Sequence, residues 1–198
     1  MHYFLQNVHG ILWCVIMNKV WFTSDQHFGH SRVIGYCNRP FTDGHHMNRM
    51  LIENWNSVVQ PEDTVYMLGD IFFTTATKAL YIMDQLVGKK VLVYGNHDKV
   101  IRDNKSLQNK FDDILGEYKE LSIDEQKIVL CHFPFLHFNG QHRGHWNLHG
   151  HIHSSGNKCT QPNKRQYDVG VDNNNYFPVS FEEIKGMVNK ITDFDSHH

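Results

Sequence analysis

Little in this 198-residue chain points to a membrane, a long polymer or a disulfide scaffold. The apolar run at 11–16 has six residues, where a bilayer-spanning helix needs about 20. No Lys or Arg precedes it, so it lacks the charged start of a secretory signal. Residues 1–16 read instead as an N-terminal extension or an alternative-start segment, because Met17 opens Met17-Asn18-Lys19-Val20-Trp21-Phe22, the first strand-like stretch. A packed arm is the other reading, and a cytoplasmic location with no membrane partner is the expectation. Excess positive charge is also missing: 19 Lys and Arg against 21 Asp and Glu leave a net charge of −2. Tight, sequence-blind binding of long duplex DNA through counterion release is therefore not expected. The four cysteines, Cys14, Cys37, Cys131 and Cys159, form no C-x-x-C pair. A chain of this size with 40% hydrophobic residues can bury a core without disulfides. They read as free thiols, with Cys131 packed in a strand. No repeat, low-complexity tract or linker interrupts 17–198, which is expected to be a single domain.

What the chain has in quantity is histidine, 16 in all. Five of these fall in short blocks with other metal-ligating side chains: Asp25-Gln26-His27, Gly69-Asp70, Gly95-Asn96-His97-Asp98, His132 and Gly150-His151-Ile152-His153. One such block marks a turn more often than a site, but five in series, most of them after an apolar run, are hard to explain as turns. Hydrolysis of a phosphate ester brings an oxygen nucleophile in line with a departing oxygen. Two divalent ions about 3.5–4 Å apart can clamp both oxygens and neutralise the developing charge. Such a pair needs a bridging carboxylate, and Asp70 is the natural one. Asp25, His27 and one histidine of the H-x-H would complete one shell, with Asn96, His132 and the other histidine completing the second. The mixed nitrogen and oxygen set suits manganese, iron, zinc or nickel better than magnesium or calcium.

At these residues the chain resembles the calcineurin-like metallophosphoesterase superfamily, whose signature runs D-x-H, G-D, G-N-H-D/E, H, G-H-x-H. Val20-Trp21-Phe22-Thr23-Ser24-Asp25-Gln26-His27-Phe28-Gly29-His30, Asn38-Arg39-Pro40-Phe41, His132-Phe133-Pro134 and Asp168-Val169-Gly170-Val171-Asp172 look more narrowly like a small bacterial and phage branch. The resemblance implies a metal-bridging hydroxide as nucleophile, no covalent enzyme intermediate and His97 as proton donor to the leaving group. It also implies an αββα four-layer sandwich of two mixed β-sheets flanked by helices. The chain departs from the phosphoprotein phosphatases, which follow G-D with a second Asp and an Arg; here Gly69-Asp70 continues into Ile71-Phe72-Phe73-Thr74. A carboxylate that orients His97 must then come from elsewhere, Asp98 being adjacent in sequence.

The residues alone give an alternating α/β pattern. Runs at 20–23, 64–68, 90–94 and 127–131 are rich in Val, Ile, Tyr or Phe, and each ends where a ligand block starts. That places the ligands at the carboxyl ends of strands, where open α/β sheets form their crevice. Met47, Met50, Leu51, Trp55 and Val58 recur at helical spacing, as do Ala79, Ile82, Met83 and Leu86. Further strands are expected at 118–123, 147–149 and 167–171, and an S-x-x-E box at Ser180 to Glu183 starts a last helix.

Four residues outside the blocks are candidates for substrate contact. His30, three residues after His27, can reach a metal ligand or a substrate oxygen. His142 and Arg143 lie in a loop at 139–146 between two ligand blocks, which is expected to overhang the site and contact phosphate or base. Arg39 could clamp a phosphate in two-point fashion, or else cap a turn at the surface. His149 is expected to pack. The reading is a dinuclear metal-dependent phosphoesterase acting on a phosphodiester of a small nucleotide or related metabolite. The alternatives are a phosphomonoesterase, a nuclease on short or single-stranded ends, and a non-catalytic metal-binding scaffold. The full ligand set together with His97 argues against the scaffold.

Overall fold

The computed structural model describes residues 5–8, 11–14, 18–154 and 165–193, with the backbone alone at 5–8, 11–14 and 189–193. Met17, Cys159 and the side chain of Cys14 lie outside the described residues. In chain order the elements are β1 (Leu5–Val8), β2 (Ile11–Cys14), β3 (Val20–Thr23), α1 (Val33–Tyr36), α2 (Gly44–Val58), β4 (Thr64–Met67), α3 (Ala76–Met83), β5 (Lys89–Leu92), α4 (Lys99–Arg102), α5 (Lys105–Gln108) and β6 (Asp113–Ile114). They continue as β7 (Tyr118–Ile123), β8 (Gln126–Cys131), β9 (Trp146–His149), β10 (Gln166–Asp168), β11 (Val179–Ser180) and α6 (Phe181–Asp193).

Two mixed sheets carry the domain. The first has the order β11-β3-β4-β5-β6, parallel from β3 to β6 with β11 antiparallel at the edge. The second has the order β10-β9-β8-β7, with β7 antiparallel to β8. Side-chain alternation decides which face of the first sheet meets which partner. Trp21, Val65, Met67 and Leu92 join Met47, Leu51 and Trp55 of α2 and Ala79, Ile82 and Met83 of α3 in one core. Their neighbours Phe22, Leu68 and Val93 face Ile128, Leu130, Trp146, Leu148 and Tyr167 of the second sheet in another. Strands buried on both faces read as continuous apolar runs, as parallel strands do. Phe181, Ile184 and Val188 bring α6 into the same inter-sheet core. The far face of the second sheet is covered by the chain at 133–145, tied down where Phe135 N–H donates to Asn147 Oδ1 at 3.3 Å.

Local signals set the element ends. The Asp43 carboxylate accepts from the His45 and His46 amides and starts α2, the preferred N-cap arrangement. At α6 the box closes both ways, the Glu183 amide donating to Ser180 Oγ at 3.2 Å and the Ser180 amide to Glu183 Oε2 at 2.9 Å. The strand expected at 167–171 ends at Asp168, because the Asp168 carboxylate accepts the Gly170 amide at 2.8 Å and turns the chain into a 3₁₀ turn at Val171–Asn173. Among the described residues β1 and β2 pair only with each other, in register from Leu5 and Cys14 to Val8 and Ile11.

Candidate active site

Parallel strands point their carboxyl ends the same way, and the loops that leave β3, β4, β5, β8 and β9 bring the five sequence blocks together there. The backbone makes tight turns at these points. Asp25, His27, Asp70, His151 and His153 all adopt left-handed φ values, between 46° and 71°. Such residues store strain that the surroundings must hold. Cross-loop hydrogen bonds do so: the Asp25 amide donates to Gly69 O at 3.0 Å, His27 to Asp70 O at 3.1 Å and Phe28 to Ile71 O at 2.8 Å. Asp98 contributes most. Its buried carboxylate accepts from the amides of Asp70, Ile71 and Gly95 at 3.0, 2.9 and 2.7 Å, locking the second ligand loop to the third. Asp98 is therefore committed to backbone and does not orient His97. The loops approach so closely that a Cβ on Gly95 would lie 2.3 Å from Asp70 Oδ1.

The donor atoms converge in two overlapping groups. Asp25, His27 and His153 offer ligand atoms all within 4.8 Å of one another, and so do Asp25, Asp70 and His132. Asp70 Oδ2 is 3.8 Å from His27 Nε2 and 3.5 Å from His132 Nε2, and Asp25 Oδ1 is 3.7 Å from His153 Nε2. Ligands that each sit about 2.1 Å from one ion are separated by about this much. Three buried atoms, Asp25 Oδ1, His27 Nε2 and His132 Nε2, have no hydrogen-bond partner among the described residues. Buried polar atoms are normally paired, so three unpaired ones within these two donor groups fit divalent cations well. Partners on the other ring nitrogen fix the histidines. His132 Nδ1 is 2.7 Å from Leu68 O, to which it donates. His153 Nδ1 is 2.7 Å from Asp172 Oδ2.

Without metal, this concentration of charge distorts protonation. Burial drives the His27 pKa down to about 3 and lifts the Asp25 carboxyl to about 6 against the pull of His132 and His153. At the His132–Asp70 pair, 3.5 Å apart, burial opposes both charges, but their close mutual attraction wins. His132 rises to about 9 and Asp70 falls to about 2.

His97, Asn96 and His151 are exposed at the mouth of the site. The His97 amide donates to Asp70 Oδ1 at 2.9 Å, and its ring lies 4.7 Å from that of Phe73. The His151 amide donates to Asp25 Oδ2 at 2.9 Å, and its ring is 5.2 Å from that of His132. His30 Nδ1 sits 3.3 Å from His27 Nδ1, and its ring stacks on Phe73 at 4.2 Å, so this nitrogen holds a ligand rather than reaching for substrate. His149 packs in the second sheet, 1% exposed. Cys37 and Cys131 are free thiols.

Three substrate-contact expectations are corrected. Arg39 lies beneath the site, not over it. Its Nε and Nη2 donate to the two Asp172 oxygens at 2.8 and 2.7 Å, and Nη2 and Nη1 donate to the carbonyls of Asp25 and Gln26 at 2.7 and 3.0 Å. With its side chain 0% exposed, Arg39 has no face left for a phosphate. His142 and Arg143 sit at the opposite end of the second sheet. Because β9 runs parallel to β8 and Trp146 pairs with Ile128, the chain must first return to the start of β8. There Gln126 Nε2 donates to Gly144 O at 3.0 Å, about 20 Å of strand from His132. Arg143 contacts Asn139 instead. The residues that sequence reasoning missed are Asp172, beneath His153, and Asp168, whose carboxylate accepts from Ser154 and Gly170. Their only signal was the D-V-G-V-D spacing, which carried no role.

A family model for the calcineurin-like phosphoesterase superfamily domain matches residues 20–166, which contain all seven candidate ligands. The chain belongs to the calcineurin-like phosphoesterase superfamily. It is 35% identical over 184 residues to the uncharacterised protein MJ1445 of Methanocaldococcus jannaschii, covering 88% of this chain and 93% of that one. It is also 32% identical to the gene 66 protein of Mycobacterium phage D29, over 89% of this chain and 99% of the phage protein. A protein of unknown function from Aquifex aeolicus, AQ665, shares the fold with a TM-score of 0.70 at 30% identity, over 86% of this chain and 99% of that chain. As a calcineurin-like phosphoesterase the protein is a metal-dependent hydrolase of phosphate esters. Among the described residues no helix is long and apolar enough to cross a membrane.

Proposed function

We propose that this calcineurin-like phosphoesterase is a dinuclear phosphodiesterase for a small nucleotide or related metabolite. The observation that carries the reading is the pair of donor groups that share Asp25, with Asp70 Oδ2 between His27 and His132. Asp25, His27, His153 and Asp70 would hold one ion, and Asp70, Asn96, His132 and His151 the other. When bound, two such ions, manganese, iron, zinc or nickel by the donor set, supply the positive charge that activates water and neutralises the phosphate. The chain's own residues do the remaining work. Asp98 and the cross-loop hydrogen bonds keep the donors from rearranging. His97, at the solvent edge and outside both donor groups, would hand a ring proton to the departing oxygen.

A diester, unlike a monoester, carries a second substituent that must be accommodated. Exposed apolar side chains are on hand: Phe133, 42% exposed, lies beside His151, and Tyr36, 71% exposed, packs edge-on to His30. The net charge of −2 supports a short substrate held by local contacts over a polymer. The test is a matrix of metals against substrates on purified protein. We expect turnover of bis-nitrophenyl phosphate and faster turnover of a cyclic or dinucleotide diester. Efficient cleavage of oligonucleotides that rises with length and falls steeply with salt, without turnover of any small diester, would establish the nuclease instead. In the same assay His97→Ala should keep its metals and slow esters of poor leaving groups by about 10²–10⁴-fold, and nitrophenyl esters less. Equal losses on both would remove the proton-donor role.

A further inference from the structure

We propose that Arg39 and Asp172 are a positioning pair that serves one metal site and not the other, an inference that rests on the metal-centre reading above. His153 Nδ1 lies 2.7 Å from Asp172 Oδ2. That acceptor fixes the proton on Nδ1 and turns the Nε2 lone pair toward Asp25 Oδ1, 3.7 Å away. Asp172 is held in turn by the Arg39 fork at 2.7 and 2.8 Å, and the side chains of both are at most 1% exposed. The same guanidinium grips the carbonyls of Asp25 and Gln26 at 2.7 and 3.0 Å. These are the peptides on either side of the turn that presents Asp25 and His27 in left-handed conformations, with φ of 59° and 53°. One buried cation thus sets the backbone of two donors and, through Asp172, the ring of a third.

The donors assigned to the other ion are held by different means. His132 is fixed by Leu68 O and the Asp70 loop by Asp98, and Asn96 and His151 are exposed. Partners that orient a ligand through its far atom change metal affinity by about 10–100-fold when lost. The asymmetry predicts that loss of the pair weakens one ion and spares its neighbour.

The test is titration of metal-free protein with Co²⁺, followed by calorimetry and by the visible Co²⁺ absorption. Asp172→Asn should weaken one of the two dissociation constants by about 10–100-fold, leave the other unchanged and shift the absorption band of the affected ion. Because a neutral amide in place of the Asp172 carboxylate would leave Arg39 buried without a counter-charge, the double variant Arg39→Met with Asp172→Leu serves where the single one does not fold. It should show the same selective loss, and ¹⁵N-histidine spectra should show the fixed Nδ1–H form of His153 giving way to a tautomer mixture. Unchanged constants in a folded variant, or equal weakening of both with an unchanged band, would overturn the pair's role. Wild-type protein that takes up no Co²⁺ would instead bring down the metal-centre reading beneath it.

Discussion

At the scale of single residues, protonation separates the donors before any metal arrives. His27, held near 3, is already neutral at pH 7.5, and Asp25, near 6, is already ionised. His132, raised to about 9 by Asp70, is not neutral at that pH. A metal requires the free Nε2 lone pair, so uptake must displace a proton. At pH 7.5, calorimetry in buffers of different ionisation enthalpy should report proton release on loading, from His132 and also from His153, whose pKa the Asp172 hydrogen bond raises against burial. None released would show that His132 is not a ligand. The sign for stability follows from the same shift. A histidine raised above its ordinary 6.5 contributes stability that is complete below pH 6.5 and is lost as the pH rises through about 9. The melting temperature of metal-free protein should therefore fall across that window, and the loaded protein should not show this loss.

At the scale of elements, the loops after β4 and β5 behave as one unit because Asp98 and the close approach at Gly95 join them. The space at Gly95 is set by the ligand itself, 2.3 Å from where a Cβ would be. Gly95→Ala should push Asp70 aside, with an overpacking cost of about 1–3 kcal/mol. For a chain of this size that corresponds to a fall in melting temperature of about 2–12 °C. Circular dichroism checks the first effect and metal analysis the second, a loss of bound ions. Unaltered melting and full occupancy would mean that the two loops are looser than their hydrogen bonds imply. The loop between β8 and β9 has the opposite character. It carries the charged and aromatic residues that made it look like a lid, yet its route is dictated by the need to re-enter a parallel strand at its amino end.

At the scale of the whole molecule, two cores on the two faces of the first sheet support the site, and the hairpin β1-β2 pairs with neither sheet. Deletion of 1–16 should leave turnover intact and lower the melting temperature by less than about 4 °C, the equivalent of about 1 kcal/mol. A larger fall would show that this segment packs on the domain.

Much of the site was legible because catalytic chemistry and strand architecture impose local patterns. A strand buried on both faces needs a short apolar run, and ligands at its carboxyl end must follow at once. That is why Asp25, Asp70, Asn96 and His132 could be read beside their strands, and why α2 and the capping box of α6 could be placed. Arg39, Arg143 and Asp172 could not be read this way. Arg39 and Asp172 stand 133 positions apart and meet only because the chain returns to the edge of the site. An isolated arginine in a loop looks the same whether it is to face a phosphate or a buried aspartate. The sequence by itself determined which side chains can bind metal and at which strand ends they stand, since both follow from residue type and local periodicity. The tertiary structure alone decided which charged residues remain free for a substrate, because burial and pairing depend on partners that spacing along the chain does not specify.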